Sequence, residues 1–269
     1  MRATIWGCRG SLATPGAATA RYGGNTSCVS VESSDGKRVV LDAGTGIRAL
    51  GLSLLPAPPR EIDLLLTHMH LDHVEGLGFF ALIFREVSIR IWAPSVDGGP
   101  IADRIREYLS PPLFPRRFDE LPADIEFADA KGTWQLGNLT VTAAEVCHPG
   151  GAVGYRLEEG GRSIAFIPDN ELGLDPDAGL ALASGADVLL HDAQYTAAEY
   201  AARAGWGHSS IADFAALVRR ADPGEAVMFH HDPGHEDAML EAMQAEAEQL
   251  AGRPLTLAAE GLAIPARRL

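Results

Sequence analysis

Residues 67 to 77 read Thr-His-Met-His-Leu-Asp-His-Val-Glu-Gly-Leu and follow directly on the apolar run Leu64-Leu65-Leu66. Three histidines and an aspartate therefore share the six positions from His68 to His73, where a strand is expected to turn into a helix. Imidazole nitrogens and a carboxylate suit zinc, manganese or iron. The four groups are packed too closely for one ion to use them all, so the cluster points to two metals. Held about 3.5–4 Å apart, such a pair clamps a phosphoryl or carbonyl oxygen and activates a water.

The rest of the chain repeats the placement. Strands are expected at residues 3–6, 28–32, 38–41, 62–66, 89–93, 139–146, 154–157, 163–167, 188–190 and 226–229. Six of them run into His or Asp: Asp42, the opening cluster, His148, Asp169, His191-Asp192, and His230-His231-Asp232. Strand ends are where loops gather polar groups from distant sequence into one cleft. Eight of the nine histidines lie at such a strand end or before a helix, a distribution that one convergent metal site explains. Helices are expected over about 74–84, 101–109 and 236–250, and over 210–220, where Ser210 and Asp213 have capping-box spacing. Between Pro94 and Leu136 the pattern weakens, with turn-forming residues at 97–100 and 110–115. This stretch reads as an elaborated connection inside one domain spanning 1–269, of the kind that forms lids.

Composition narrows the function. A chain of 269 residues with 46% hydrophobic content buries one large α/β core. Its formal charge of −14 disfavours a large nucleic-acid surface, which needs clustered Lys and Arg, while leaving room for a small anionic ligand. No stretch approaches the roughly 20 apolar residues of a membrane span and the start lacks a signal peptide's apolar centre, so a cytoplasmic chain is expected. Cys8, Cys28 and Cys147 are odd in number and show no Cys-x-x-Cys spacing, which argues for reduced, packed thiols.

With Gly23-Gly24-Asn25-Thr26-Ser27-Cys28, Leu41-Asp42-Ala43-Gly44-Thr45-Gly46 and the 67–73 motif in view, the chain resembles the metallo-β-lactamase fold hydrolases. The likeness is to their phosphodiesterase branch, which includes RNase Z. It implies an αββα sandwich of two mixed sheets with helices on the outer faces. It also implies two divalent ions, zinc first, with manganese or iron as alternatives. Carried over, His68, His70 and His148 would ligate one metal and Asp72 and His73 the other. Asp169 would bridge them, and His230 or its neighbour His231 would complete the set. Asp42 and Thr67 would support the ligands from behind.

Two further motifs aim the chemistry. Gly207-His208-Ser209-Ser210 resembles the branch's Gly-His-Ser-[Ser/Thr] motif, whose histidine protonates the leaving oxygen. His191-Asp192-Ala193-Gln194 resembles its His-Glu-Ala-Thr motif, with Asp192 in place of the glutamate that steadies that histidine. RNase Z carries a tRNA-gripping arm between the positions of His148 and Asp169, and here only 21 residues separate them. The resemblance thus implies a hydroxide supplied by the metals, attack on a small phosphodiester such as a cyclic nucleotide, and His208 as general acid. Asp72 would help position the hydroxide. Asn25 and Arg9 are candidates to touch substrate, Phe114 and Phe118 to line a lid, and a homodimer is the expected assembly. RNA cleavage, lactone, thioester or β-lactam hydrolysis, and a redox member binding iron are the competing readings.

Overall fold

The computed structural model describes residues 1–95 and 100–267. Fourteen strands among these residues form two seven-stranded sheets. The first holds β1 (Arg2–Gly7), β2 (Cys28–Glu32), β3 (Arg38–Leu41), β4 (Glu61–Leu65), β5 (Ser88–Ala93), β6 (Asp124–Asp129) and β14 (Ala263–Pro265), in the order β14-β1-β2-β3-β4-β5-β6. The second holds β7 (Gly132–Leu136), β8 (Leu139–Val146), β9 (Ala152–Glu159), β10 (Arg162–Ile167), β11 (Val188–Asp192), β12 (Glu225–Phe229) and β13 (Thr256–Leu257), in the order β13-β12-β11-β10-β9-β8-β7.

The two sheets are built alike. From β14 to β3 the pairings are antiparallel and from β3 to β6 parallel. From β7 to β10 they are antiparallel and from β10 to β13 parallel. Mixed sheets of this kind make the α/β sandwich that the resemblance implies. Between the sheets lies a core of inward side chains from both, among them Ile5, Val29, Leu41, Tyr155, Phe166 and Phe229. The outer face of the first sheet is covered by α1 (Ile47–Leu54), by α3 (Ile101–Tyr108) and by 3-10 turns at Leu77–Phe79 and Ala81–Phe84. The second is covered by α4 (Leu180–Ala183), α6 (Ile211–Ala221) and α7 (Asp237–Ala251). The Ser210–Asp213 capping box at the start of α6 is present. Among the described residues no helix is long and apolar enough to cross a membrane.

Two expectations are corrected. The helix expected over 74–84 is only a short α2 (Leu71–Val74) followed by the two 3-10 turns. Gly76 and Gly78 explain it, because here the chain runs close against its neighbours: a methyl group at Gly76 would sit 2.1 Å from the Gly44 carbonyl oxygen, and one at Gly78 2.7 Å from the Phe114 ring. Glycine was selected by close approach, and it weakens an α-helix by about 1 kcal/mol. The stretch 94–136 is more than a connection, since it carries α3 and the edge strands β6 and β7, one in each sheet. The alternation in β6 is shallow, with no fully buried residue, so its hydrophobic pattern is weak. Of the turn expected at 97–100, residues 97–99 lie outside the described residues. Phe114 packs in the core beneath the first sheet's outer layer, and Phe118 lies against Phe127 with Arg106 over both rings. Both contacts are those of core packing, the role also open to these aromatics from the sequence.

Gly76→Ala should cost stability through overpacking, by about 1–3 kcal/mol. A fall in the urea midpoint at unchanged slope is the expected result, and an unchanged midpoint would show that the backbone yields there.

Candidate active site

The strand ends deliver the polar residues to one edge of the sandwich. Asp42 follows β3, His68 to His73 follow β4, His148 follows β8, Asp169 follows β10, Asp192 ends β11 and His230 follows β12. The sheets are tied across this edge by Val153 N–H donating to the Thr67 carbonyl at 3.0 Å and by the buried Tyr155 hydroxyl donating to the Leu66 carbonyl at 2.5 Å.

Three overlapping sets of candidate donors result among the described residues, with donor atoms within 4.8 Å of one another in each: His68, His70, His148 and Asp169; Asp72, His73 and His230; and Asp169, His208 and His230. Asp169 joins the halves. Its carboxylate lies 3.6 Å from His68 Nε2 and 3.8 Å from His148 Nε2 on one side, and 3.1 Å from His73 Nε2 and 3.2 Å from His230 Nε2 on the other. Asp72 Oδ2 is 3.2 Å from His73 Nε2 and 3.1 Å from His230 Nε2, and accepts the Ser11 N–H at 2.7 Å.

The outward nitrogens are held. His73 Nδ1 donates to Asp42 Oδ2 at 2.7 Å, His230 Nδ1 to Gln194 Oε1 at 2.8 Å and His148 Nδ1 to the Gly207 carbonyl at 3.0 Å, while His68 Nδ1 lies 3.1 Å from Thr67 Oγ1. Each such partner fixes a tautomer whose Nε2 lone pair points inward. His70 is the exception, presenting Nδ1 at 3.1 Å from His148 Nε2.

These residues fit a pair of cations. His68 Nε2 and Asp169 Oδ1 are fully buried and have no hydrogen-bond partner. Imidazole nitrogens also face one another at 3.1 Å, His70 Nδ1 to His148 Nε2, and at 3.3 Å, His73 Nε2 to His230 Nε2, a crowding of lone pairs that a cation relieves. Protonation fits as well. Burial holds His68, His70 and His148 below the usual histidine range, joined for His68 by His73 and for His70 by His148, so these imidazoles are neutral and free to coordinate. On the other side burial alone would also favour a neutral His73, but Asp169, Asp72 and Asp42 raise it well above that range. Against the penalty of burial, His230 and His73 hold Asp169 well below the carboxylate range. Three carboxylates around His73 call for positive charge, which a divalent ion supplies.

His208 belongs to the same cleft. Its ring stacks on His230 with centroids 4.9 Å apart and lies 5.4 Å from the ring of His148, so it touches both halves. Nδ1 donates to Asp192 Oδ2 at 2.9 Å, and the fully buried Asp192 also accepts the amides of Asn170 and Gln194. Burial opposes the imidazolium, but Asp192 outweighs it and pushes the His208 pKa up to about 9. Shorter than glutamate, Asp192 makes its contact directly.

The two consecutive histidines separate cleanly. His230 has a left-handed backbone, φ 60°, a strained state for this residue type, and it enters the cluster. His231 turns the other way, to the Ala258 carbonyl at 2.9 Å, and burial pushes its pKa down to about 3. A methyl group at Gly10 would sit 2.3 Å from His230 Nδ1, so the Gly7 to Ser11 loop closes directly over this ring.

Asn25 and Arg9, candidates to touch substrate, have partners within the chain. Asn25 Nδ2 and its backbone N–H donate to Glu260, at 3.0 and 2.7 Å. Arg9 is fully buried and donates to the carbonyls of Gly23, Asp232 and His235. Both stitch the N-terminal loop to the C-terminal segments.

Two residues escaped sequence reading. Gln194 orients His230, and Glu171, itself buried, accepts the N–H groups of Gly205 at 2.6 Å and Gly207 at 2.7 Å and the Tyr200 hydroxyl at 3.0 Å. Glu171 thereby fixes the loop carrying His208. The signal was the polar run Asp169-Asn170-Glu171 leaving β10.

Comparison with known proteins places this geometry. A family model described as "Beta-lactamase superfamily domain" matches residues 37–231. The chain is 25% identical over 259 residues to ribonuclease BN of Escherichia coli O6:K15:H31, covering 78% of this chain and 84% of that protein. Human tRNase Z, short form, superposes with a TM-score of 0.70 at 19% identity over 100% of both chains. A diphosphatase of the PhnP family superposes with a TM-score of 0.71 at 18% identity, over 99% of this chain and 98% of that one.

Gln194→Leu removes the acceptor that sets the His230 tautomer. Divalent-metal affinity, measured by chelator competition, should fall about 10–100-fold with the circular dichroism spectrum unchanged. Unchanged affinity would remove His230 from the metal donors.

Proposed function

Because the chain belongs to the beta-lactamase superfamily and is a metal-dependent hydrolase, we propose that its substrate is a small phosphodiester, with a cyclic nucleotide foremost. The observation that carries this reading is the pair His208–Asp192, at 2.9 Å, set against both halves of the metal cluster. Hydrolysis of an alkyl phosphodiester expels an alkoxide, which needs a proton as it leaves. With Nδ1 committed to Asp192, His208 has Nε2–H to give.

We assign His68, His70 and His148 to one divalent ion and Asp72, His73 and His230 to the other, with Asp169 between them. Zinc suits this nitrogen-rich set. When bound, two such ions supply a nucleophilic water at neutral pH and neutralise charge on the phosphoryl oxygens. The chain's own residues do the rest. Asp42, Gln194 and the Gly207 carbonyl hold the imidazoles in register, Asp72 orients the attacking water, and Asp192 keeps His208 protonated and aimed.

A small substrate is supported by the segment between His148 and Asp169, where β9 and β10 form a hairpin closed by Gly160-Gly161. The two strands take up most of that segment, and short turns take up the rest. The charge of −14 also speaks against a long polyanion. Likeness to a ribonuclease and to a diphosphatase agrees on phosphorus–oxygen bonds and leaves the size of the substrate to these features.

The test is dependence on the leaving group. In zinc- or manganese-loaded protein, His208→Ala should lower kcat about 10²–10⁴-fold on cyclic mononucleotides, whose alkoxide needs a proton. It should change turnover of bis(p-nitrophenyl) phosphate little, because nitrophenolate leaves unaided. Equal loss on both substrates, or turnover of a lactone with phosphodiesters silent, would overturn the assignment. The pH profile carries a sign of its own. The acid form of His208 is the active one, so kcat falls as pH rises through its pKa. Asp192→Asn removes the principal support of that form and should move the fall to lower pH.

A further inference from the structure

Folded proteins cover most of their large aromatic side chains, yet Trp206 is 63% exposed. Its backbone is not loose. The flanking amides of Gly205 and Gly207 are both clamped by the buried Glu171 carboxylate, and Trp206 N–H donates to the Arg203 carbonyl at 3.1 Å. Gly207 lies so close to the cluster that a methyl group there would sit 2.1 Å from His148 Nδ1. The chain therefore holds a large, flat, uncovered ring on a rigid loop two residues before His208.

The surroundings have the same character. Leu71, between His70 and Asp72, is 65% exposed, and Leu174, in the turn whose N–H bonds back to Glu171, is 60% exposed. Leu12, next to the Ser11 amide that binds Asp72, is 61% exposed. Four segments that carry cluster residues or their supports thus each also carry an uncovered apolar side chain within a few residues in sequence. None of the four positions carries a charge that would hold further phosphates.

We propose that Trp206 is a stacking platform for an aromatic group on the leaving alcohol of the substrate, as in a nucleoside. This rests on the phosphodiesterase reading above, in which His208, carried by the same loop two residues on, protonates the leaving oxygen. Any nucleobase offers a π-face to such a ring, so the platform selects for an aromatic group and not for a particular base. Specificity then comes from the apolar rim and the chemistry from the cluster.

The experiment uses the metal-loaded full chain and two diesters that share a methyl group and differ in the leaving alcohol: methyl adenosine 5′-phosphate and methyl ribose 5-phosphate. Trp206→Ala should lower kcat/KM on the adenosine diester roughly five- to a hundred-fold, mainly through KM. It should leave the ribose diester within about twofold, the two substrates differing only in the stacking surface. Trp206→Phe should restore most of the loss. Equal loss on both diesters would mean a disturbed loop and would overturn the platform. So would no loss on either, or a change only in oligomeric state by sedimentation, which would make the rim a contact between copies.

Adenosine binding, followed by calorimetry and by quenching of tryptophan fluorescence, separates this from failure of the function. If neither diester is cleaved by the unaltered protein, the phosphodiesterase reading fails. Weaker adenosine binding in Trp206→Ala but not in His208→Ala still supports the platform, and equal binding in all three proteins overturns it.

Discussion

The carboxylate of Asp42 is the fixed point on which this active-site edge depends. It is fully buried, and an unpaired charge there would cost several kcal/mol. It is not unpaired: Ser27 Oγ, the Thr67 N–H, Thr67 Oγ1 and His73 Nδ1 all donate to it, between 2.7 and 3.1 Å. Those donors stand before β2, after β4 and in α2, so one side chain locks three segments. Its φ of 58° shows that the backbone bends into a left-handed state to present it. Were Asp42 removed, Thr67 and His73 would lose register together, and with them the ligand turn between.

The second sheet meets this arrangement through Asp169, which lies within 4 Å of a nitrogen on five histidines drawn from both sheets. Each sheet by itself supplies an incomplete donor set. The first brings His68, His70, Asp72 and His73, and the second brings His148, Asp169, His208 and His230. Packing the apolar core between the sheets is what joins them. The free energy that assembles the site is therefore mostly hydrophobic, from residues such as Phe166, Tyr155 and Leu41. Polar contacts then decide orientation.

How much of this was legible in the sequence depended on how local the cause was. The 67–73 motif and the strand-end residues were readable because ligand chemistry and strand ends both lie in short stretches. The choice between His230 and His231 was not, since it turns on a left-handed backbone at His230 and on the Gly10 loop, from the far end of the chain, that packs on its ring. The helix expected after Val74 failed for a similar reason, as the Gly44 carbonyl that excludes a side chain at 76 is distant in sequence. Edge strands β6 and β7 bury little and so leave a weak pattern. Asn25 and Arg9 looked available in the sequence because their partners, Glu260 and the 232–237 segment, arrive from the other terminus.

Glu171 shows how the metal cluster and the proton donor are kept in step. Through Gly207 its carboxylate fixes both the carbonyl that sets the His148 tautomer and the backbone that leads to His208. A shift of that loop would misplace a ligand and the acid at once. Coupling the two in this way demands rigidity, and the left-handed glycines at 205 and 207 permit the tight path that rigidity needs. The same loop carries Trp206, whose flanking glycine amides both donate to Glu171. The clamp fixes the point from which the ring projects and leaves the ring uncovered. Less backbone freedom then remains to be lost when a flat partner lands on it.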